Sequence, residues 1–312
     1  MTLQQLRYLL ALDEHRHFGR AAKACYVAQP TLTAQVKKLE ESLGVQLINR
    51  KENPIKPTPI GAKMIAQARV VLDEVAGMTN LLREETEQLD GTFQLGIIPT
   101  LAPYLLPLFL PSFAQHHPEV HLVIKEMQSE QIMEGLQRQK LDLGLLVTPL
   151  EEKQLREIPL FYEPFLIYAS PEQEILQQSP LLPDHVERED LWLLEQGHCF
   201  RNQVLNICNT GTTTTPHPAR PFTFQAGSIE TLKNMVQHNL GYTIIPELSV
   251  RKGTDSAHIK RFAEPQPARE VSLVVNRTFA RERLLEEIRK SILAVTPETF
   301  QKNNRFLSVS WR

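Results

Sequence analysis

The chain has 312 residues, 42% of them hydrophobic and 22% charged, with a formal net charge of −2 and three cysteines. This is the profile of a soluble globular protein long enough for two or three cores, and it excludes a low-complexity or fibrous chain. Residues 1–60 hold nine Lys/Arg against five Asp/Glu, which leaves the remainder at −6, so a basic head is joined to an acidic body. That asymmetry points to a nucleic-acid-binding module linked to something else.

In the head, Leu3, Leu6 and Leu10 mark one helical stripe, and Phe18, Ala21, Ala22 and Cys25 begin a second. Asp13 and Glu14 interrupt the first apolar stretch, which is not what a leader looks like. Then comes AQPTLTAQVKKLEESLG. Pro30 is expected at the first helical position, Leu32, Val36, Leu39 and Leu43 share a face, and Gly44 closes the helix. Thr31, Ala34, Lys37, Lys38 and Glu41 fall on the opposite face, with Gln29 and Thr33 near its start. Two short helices, a tight turn and a third helix with Gln, Thr and Lys near its beginning describe a helix-turn-helix. Its third helix would enter a major groove of double-stranded promoter DNA. Candidate DNA contacts are Gln29, Pro30, Thr31, Thr33, Lys37 and Lys38, with Arg50 and Lys51 in a Pro-interrupted wing suited to phosphates.

Thr58-Pro59 is a good helix start, and no proline follows until after Leu89. Ile65, Leu72, Val75 and Leu82 keep a 3.5-residue period, so about 30 residues would form a helix of about 45 Å that dimerises. Asp90-Gly91 breaks it. The expected domains are therefore 1–58, a linker helix 59–90, and a body 91–312.

Beyond Gly91, strands alternate with helices. Phe93–Ile98 and Val120–Glu126 read as strands, Tyr104–Gln115 as a helix despite its prolines, Ser129 as the cap of a helix to Arg138, and Leu143–Val147 as a buried strand of a mainly parallel sheet. A second unit runs from Phe165 through Trp192–Leu194, Phe222–Phe224, a helix at Ile229–His238 and a strand at Tyr242–Ile245. Val271–Val275 and a helix over Ala280–Leu293 would return to the first unit. Subdomain I is then about 91–162 with 269–300, and subdomain II about 163–268. The most apolar run, Leu101–Phe113, is broken by three prolines, and no membrane span is expected.

The run from Leu6 to Gly44 with HFGRAA, the segment to Arg50, and PTPIGA beyond it resemble the winged helix-turn-helix of LysR-type transcriptional regulators. The resemblance implies an N-terminal winged helix-turn-helix with a long linker helix. Two α/β subdomains of periplasmic-binding-protein type would follow, in a homodimer or homotetramer that works with RNA polymerase. Within that family, EHRHF, IPTLAPYLLP, GHCFRNQ, Cys208 and ETLKNMV resemble the hydrogen-peroxide sensors. What this implies is a cytoplasmic regulator whose Cys199 reacts with peroxide and then bridges to Cys208, to be reset by a glutaredoxin- or thioredoxin-type thiol reductant.

The cysteine segment GHCFRNQVLNIC carries its own argument. If it were helical, nine residues would set the two Cα atoms roughly 13 Å apart, whereas a disulfide needs them within about 7 Å, so helix and bridge exclude each other. His198, Arg201 and a helix start at Cys199 would each favour a thiolate. Thr100, Ser129 and, more weakly, Arg269 are donors implied by the resemblance. Asn202 stands where the family often has Asp, and the stretch NTGTTTTPHPAR after Cys208 reads as a slack insertion.

Three other readings stay open. Buried packing is the commoner role of a cysteine. A small organic ligand in the inter-subdomain cleft would replace redox sensing altogether. A zinc set of His198, Cys199, Cys208 and His217 has suitable ligand types, but C-x8-C is not a usual structural zinc spacing. No cofactor or resident metal is expected, and a thiol peroxidase enzyme is disfavoured, because no Cys-x-x-Cys motif or other recycling route accompanies the basic head.

Overall fold

The computed structural model describes residues 1–85, 89–186, 190–208, 226–302 and 305–311. The chain divides into two compact units, Met1–Gln88 and Leu89–Arg312.

In the first unit, α1 (Leu3–His15) begins in a capping box. The Gln5 N–H donates to Thr2 Oγ1 at 3.3 Å, and the Thr2 N–H donates to Gln5 Oε1 at 2.9 Å. α2 (Phe18–Ala24) is capped by His17, whose Nδ1 accepts from the Gly19 and Arg20 N–H groups. α3 spans Gln29–Leu43 and ends on Gly44 at φ +69°, as expected for a closing glycine. Its N-cap is Ala28, so Pro30 is the second helical residue rather than the first. β1 (Ile48–Asn49) and β2 (Lys56–Pro57) pair antiparallel as the wing. Glu40, buried on α3, accepts from the Leu47 and Ile48 N–H groups and thereby fixes the turn into the wing. α4 runs Pro59–Glu85, with Thr58 Oγ1 accepting from the Gly61 N–H at 3.0 Å. Gly61 has a steric reason: an added Cβ would lie 1.9 Å from Leu47 O.

One head core gathers Tyr8, Leu9, Leu12, Leu32, Val36, Leu39, Leu47 and Ile48; the expected stripes are corrected in part, since Leu3 and Leu43 are exposed and Leu10 is half-buried. Ile65 belongs to this core at 5% exposure. Its assignment to dimerisation is therefore corrected, because its side chain is spent within its own unit. Leu72 and Val75 are half-buried, and the Leu82 side chain lies outside the described residues.

In the second unit, β3 (Gly91–Ile97) pairs parallel with β4 (Val120–Glu126) and with β5 (Leu143–Thr148). α5 (Ala102–His116) holds Pro107 and Pro111 in its interior, and α6 covers Ser129–Gln137. β6 is a single strand of 15 residues, Leu155–Ala169. β7 (Leu191–Trp192), α7 (Cys199–Ile207), α8 (Ile229–Gln237), β8 (Tyr242–Pro246) and β9 (Ile259–Arg261) follow. β10 (Gln266–Asn276), α9 (Glu282–Val295) and β11 (Phe306–Ser308) complete the chain. Phe222–Phe224 lies outside the described residues.

The strand order is β4-β3-β5-β10-β6-β8-β7, with β11 on β10 and β9 on β6. The sheet is mixed rather than mainly parallel, since β10 runs antiparallel to both β5 and β6, and β6 antiparallel to β8. β6 and β10 are longer than their apolar runs suggest because each serves two cores. One core gathers Leu95, Phe109, Leu145, Phe161, Leu273 and Ile288, and the other Phe165, Tyr168, Leu194, Phe200, Leu232 and Ile244. The crossing between them lies near Phe161–Phe165 and Ala268–Val271.

Candidate functional site

The site lies where the two cores meet. Cys199 is the first residue of α7, with His198 at the N-cap. The preceding Gly197 has φ +98°, and an added Cβ would sit 2.8 Å from Gln128 Nε2, so the chain enters α7 tight against the start of α6. Cys199 is 7% exposed and packs in the first core, whereas Cys208, 6% exposed, packs in the second. Neither thiol is in a disulfide and the segment between them is helical, as the geometric argument requires of an unbridged form.

Burial pushes the Cys199 thiol pKa up. The Ser129 hydroxyl, the Arg269 cation and the Phe200 N–H pull the other way, and Glu130 adds to the rise. Two expectations change here. Arg201 is engaged elsewhere: its Nη1 donates to Leu194 O at 2.8 Å. Ser129 is not a cap but the first residue of α6, and its buried Oγ, though near enough to the Cys199 thiol to favour its anion, meets no well-formed hydrogen-bond geometry among the described residues. A buried hydroxyl in that condition is costly unless something polar arrives to meet it.

Arg269 is fully buried, within β10 rather than before it. Its Nε and Nη2 reach Glu163 Oε2 at 2.8 and 2.7 Å, its Nη1 donates to Thr100 Oγ1 at 2.9 Å, and its Nη2 donates to Thr100 O at 3.0 Å. The Thr100 hydroxyl, occupied as an acceptor, keeps its own proton to donate. Burial raises the Glu163 carboxyl pKa, opposed by Arg269 and by the Leu248 N–H, which donates to Oε1 at 2.8 Å. Arg269 and Glu163 face each other across the β10–β6 ladder, and the guanidinium stands 5.8 Å from the Phe200 ring centroid. Across the same junction the Tyr104 hydroxyl donates to Glu230 Oε1 at 3.0 Å.

The fold thus gathers Cys199, Ser129, Thr100 and Arg269, with His198 adjacent, its Nε2 3.9 Å from Glu195 Oε1. It directs Arg201 and Asn202 elsewhere, since Asn202 Nδ2 donates to Trp311 O at 3.1 Å. Glu163 and Gln203 were not anticipated. Glu163 left a signal, a lone carboxylate in the apolar run LFYEPFLIY, which must find a cation once that run is buried. Gln203 is fully buried, and its Oε1 is a second unpartnered oxygen. Of the zinc set, His217 lies outside the described residues.

On the head, Gln29, Pro30, Thr31, Lys37, Lys38, Arg50 and Lys51 are exposed and Thr33 is half-buried. Arg50 is not a free cation: Nη2 pairs with Glu40 Oε2 at 2.5 Å beneath the wing, and Lys37 pairs with Glu41 at 3.6 Å.

The family model for the bacterial regulatory helix-turn-helix protein of the lysR family matches residues 3–62, and that for the LysR substrate binding domain matches residues 86–296. The chain belongs to the LysR family of regulators. Its two units are thus a DNA-binding helix-turn-helix and a regulatory domain of periplasmic-binding-protein type. Among its relatives, a hydrogen peroxide-inducible genes activator from Haemophilus influenzae is 36% identical over 277 residues, covering 88% of this chain and 90% of the relative. The DNA-binding transcriptional dual regulator OxyR of Escherichia coli is 34% identical over 305 residues, covering 97% and 98%. A full-length OxyR from Pseudomonas aeruginosa, solved with aspartate in place of a cysteine, superposes with a TM-score of 0.74 at 32% identity over 95% of this chain and 99% of that one. A peroxide-bound cysteine-to-serine OxyR from Corynebacterium glutamicum gives 0.60 at 27% identity, covering 99% and 98%. No helix among the described residues is long and apolar enough to cross a membrane.

Proposed function

We propose that this LysR-family regulator senses hydrogen peroxide through Cys199 and is switched by a reversible Cys199–Cys208 disulfide. The observation that carries this reading is the buried thiol at the start of α7, next to a buried serine hydroxyl that makes no well-formed hydrogen bond and a buried arginine. A small, neutral, doubly protic oxidant suits such a site, because it can enter without desolvating a charge and can satisfy the orphan oxygen. The relative named as a hydrogen peroxide-inducible genes activator and the peroxide-bound OxyR structure support the same reading.

The chemistry has two steps. The Cys199 sulfur attacks the O–O bond of peroxide, the bond breaks, and one oxygen stays on sulfur as sulfenic acid. The other leaves as hydroxide and takes the thiol proton, so thiol and peroxide become sulfenic acid and water. Arg269 and the Thr100 and Ser129 hydroxyls stabilise the departing charge. The Cys208 thiol then gives up its proton as its sulfur displaces hydroxide from the sulfenic sulfur, and that proton and the hydroxide make a second water alongside the disulfide. Reduction by a glutaredoxin- or thioredoxin-type dithiol reverses it through a mixed disulfide.

Because α7 holds the Cα atoms roughly 13 Å apart, bridging requires the helix to unwind and one cysteine to leave its core. This rearrangement is the input that a homodimer or homotetramer, acting in the cytoplasm on promoter DNA and RNA polymerase, converts into changed transcription. Gln29, Thr31, Thr33, Lys37 and Lys38 on α3 and Lys51 in the wing make the DNA contacts, and Arg50 shapes the wing through Glu40. Mass spectrometry of thiols before and after a stoichiometric peroxide pulse tests the reading. A Cys199–Cys208 bridge is expected, and its failure to appear would refute the switch. If Cys199→Ser leaves the transcriptional response intact, a small organic ligand in the cleft becomes the signal instead.

A further inference from the structure

α7 is the element that bridging must unwind, and one remote segment holds it. β11 runs parallel to β10, and the Val309 N–H prolongs that ladder by donating to Ala268 O at 2.9 Å. The chain then crosses α7. Gln203 Nε2 donates to Val309 O at 2.9 Å, Asn206 Nδ2 to Ser310 O at 2.8 Å, and Asn202 Nδ2 to Trp311 O at 3.1 Å. At 100° per residue, positions 202, 203 and 206 fall within about 100° of arc, so one flank of the helix presents three amides to three consecutive carbonyls.

The segment is anchored on both sides. Val309 packs in the second core, which also holds Cys208, and Trp311 packs in the first, which also holds Cys199. The Trp311 indole N–H donates to Pro149 O at 3.0 Å, and Arg305 pairs with Glu264 ahead of β11. The segment therefore spans the same two cores as the two cysteines.

We propose that residues 306–311 form a latch that sets how readily α7 unwinds, and hence the oxidant level at which the Cys199–Cys208 bridge forms. The inference rests on the redox reading above. Its physical basis is that the three amide donors belong to the very residues whose backbone must be rearranged. Bridging cannot proceed without giving up these contacts, whereas attack of peroxide on Cys199 leaves them in place. The latch thus acts on the second step and on the equilibrium, not on the first. The step itself is the one already balanced: sulfenic acid at Cys199 and thiol at Cys208 yield disulfide and water.

The test uses the full chain as wild type, Asn206→Ala and Trp311→Ala. Amide hydrogen exchange of α7 is followed in the reduced protein without oxidant, and the disulfide-to-dithiol ratio is measured at equilibrium in glutathione buffers. Each variant should speed exchange across α7 and shift the ratio toward disulfide, by about two- to tenfold for each hydrogen bond lost. In a Cys208→Ser background, Asn206→Ala should leave the rate of sulfenic acid formation within about twofold of its parent, a separation that general loosening of the fold would not produce. Should Trp311→Ala not fold, Asn206→Ala alone decides, because its contact is at the surface. Variants that match wild type in exchange and ratio, or move the ratio toward dithiol, overturn the latch while the redox reading stands. A wild type that never forms the bridge overturns both.

Discussion

Two buried ion pairs in the regulatory domain differ in whether they are finished. In the second subdomain, Lys233 Nζ donates to Asp255 Oδ2 at 2.6 Å and to Ser249 O at 2.8 Å. Asp255 also accepts from the Tyr168 hydroxyl at 3.0 Å and the Arg251 N–H at 2.7 Å, and Tyr168 accepts from Gln237 at 2.7 Å. At the crossing, Arg269 and Glu163 are equally buried, but their network ends at Thr100, close to a thiol flanked by the unpartnered Ser129 Oγ. A closed polar network specifies a scaffold, whereas one that stops at an unmet buried atom has room for a ligand.

The largest effects test whether both pairs matter equally to folding. Arg269→Ala and Lys233→Ala each leave a buried carboxylate unpaired and should cost about 3–5 kcal/mol in denaturant unfolding. Only Arg269→Ala should also slow the reaction of Cys199 with peroxide; equal slowing in Lys233→Ala would erase the distinction. Next comes a difference in sign. Tyr168→Phe breaks a complete network and should cost about 1–2 kcal/mol, whereas Ser129→Ala removes an orphan hydroxyl and should be neutral or stabilising by up to about 1 kcal/mol. Ser129→Ala should nonetheless slow the peroxide reaction, since the thiol loses a group that favours its anion.

Acid sharpens the contrast further. Burial alone would raise the Asp255 carboxyl pKa, but the hydrogen bonds from Lys233, Arg251 N–H and Tyr168 hold it below the ordinary value. Its contribution to stability is therefore present above the ordinary carboxylate pKa, about 3.9, and disappears as pH falls through the lower folded value. Glu163 is shifted upward, so its folded form takes up a proton more readily and contributes no such loss. Asp255→Asn should flatten the acid limb of a stability–pH curve and Glu163→Gln should not. The smallest effect is kinetic. With the Cys199 pKa raised by burial, sulfenic acid formation should still be climbing with pH above about 8.5, where an ordinary thiol begins to level off. Ser129→Ala should move that rise further upward; a plateau below neutrality would contradict it.

Much of the molecule was readable from local rules. The α3 stripe, the Gly44 stop, the Thr58-Pro59 start and the helices at 129–137 and 229–237 follow from periodicity and capping over a turn or two. The phrase HFGRAA acquires a local cause as well, since His17 caps α2. The reach of β6 and β10 was less readable. Pro159, Glu163 and Pro164 interrupt the β6 pattern, and the strand persists through them because β10 and β8 pair with it along its length. Ser129 was misread as a cap because a serine before an apolar helix is the usual signature of one, and only packing against Cys199 gives it another setting.

By itself, the sequence determined a basic helix-turn-helix head, an α/β body and a cysteine pair whose helical spacing forbids a bridge, because periodicity, capping and helical rise act over a few residues. Only the tertiary structure decided that Arg269 lies near Cys199 while Arg201 turns to Leu194, that Glu163 holds Arg269, and that the two cysteines lie in different cores. Arg269 meets Glu163 across 106 positions of sequence and Thr100 across 169. The physical reason is desolvation: a buried charge must be met by whatever the fold carries to it, and sequence distance holds no record of that meeting.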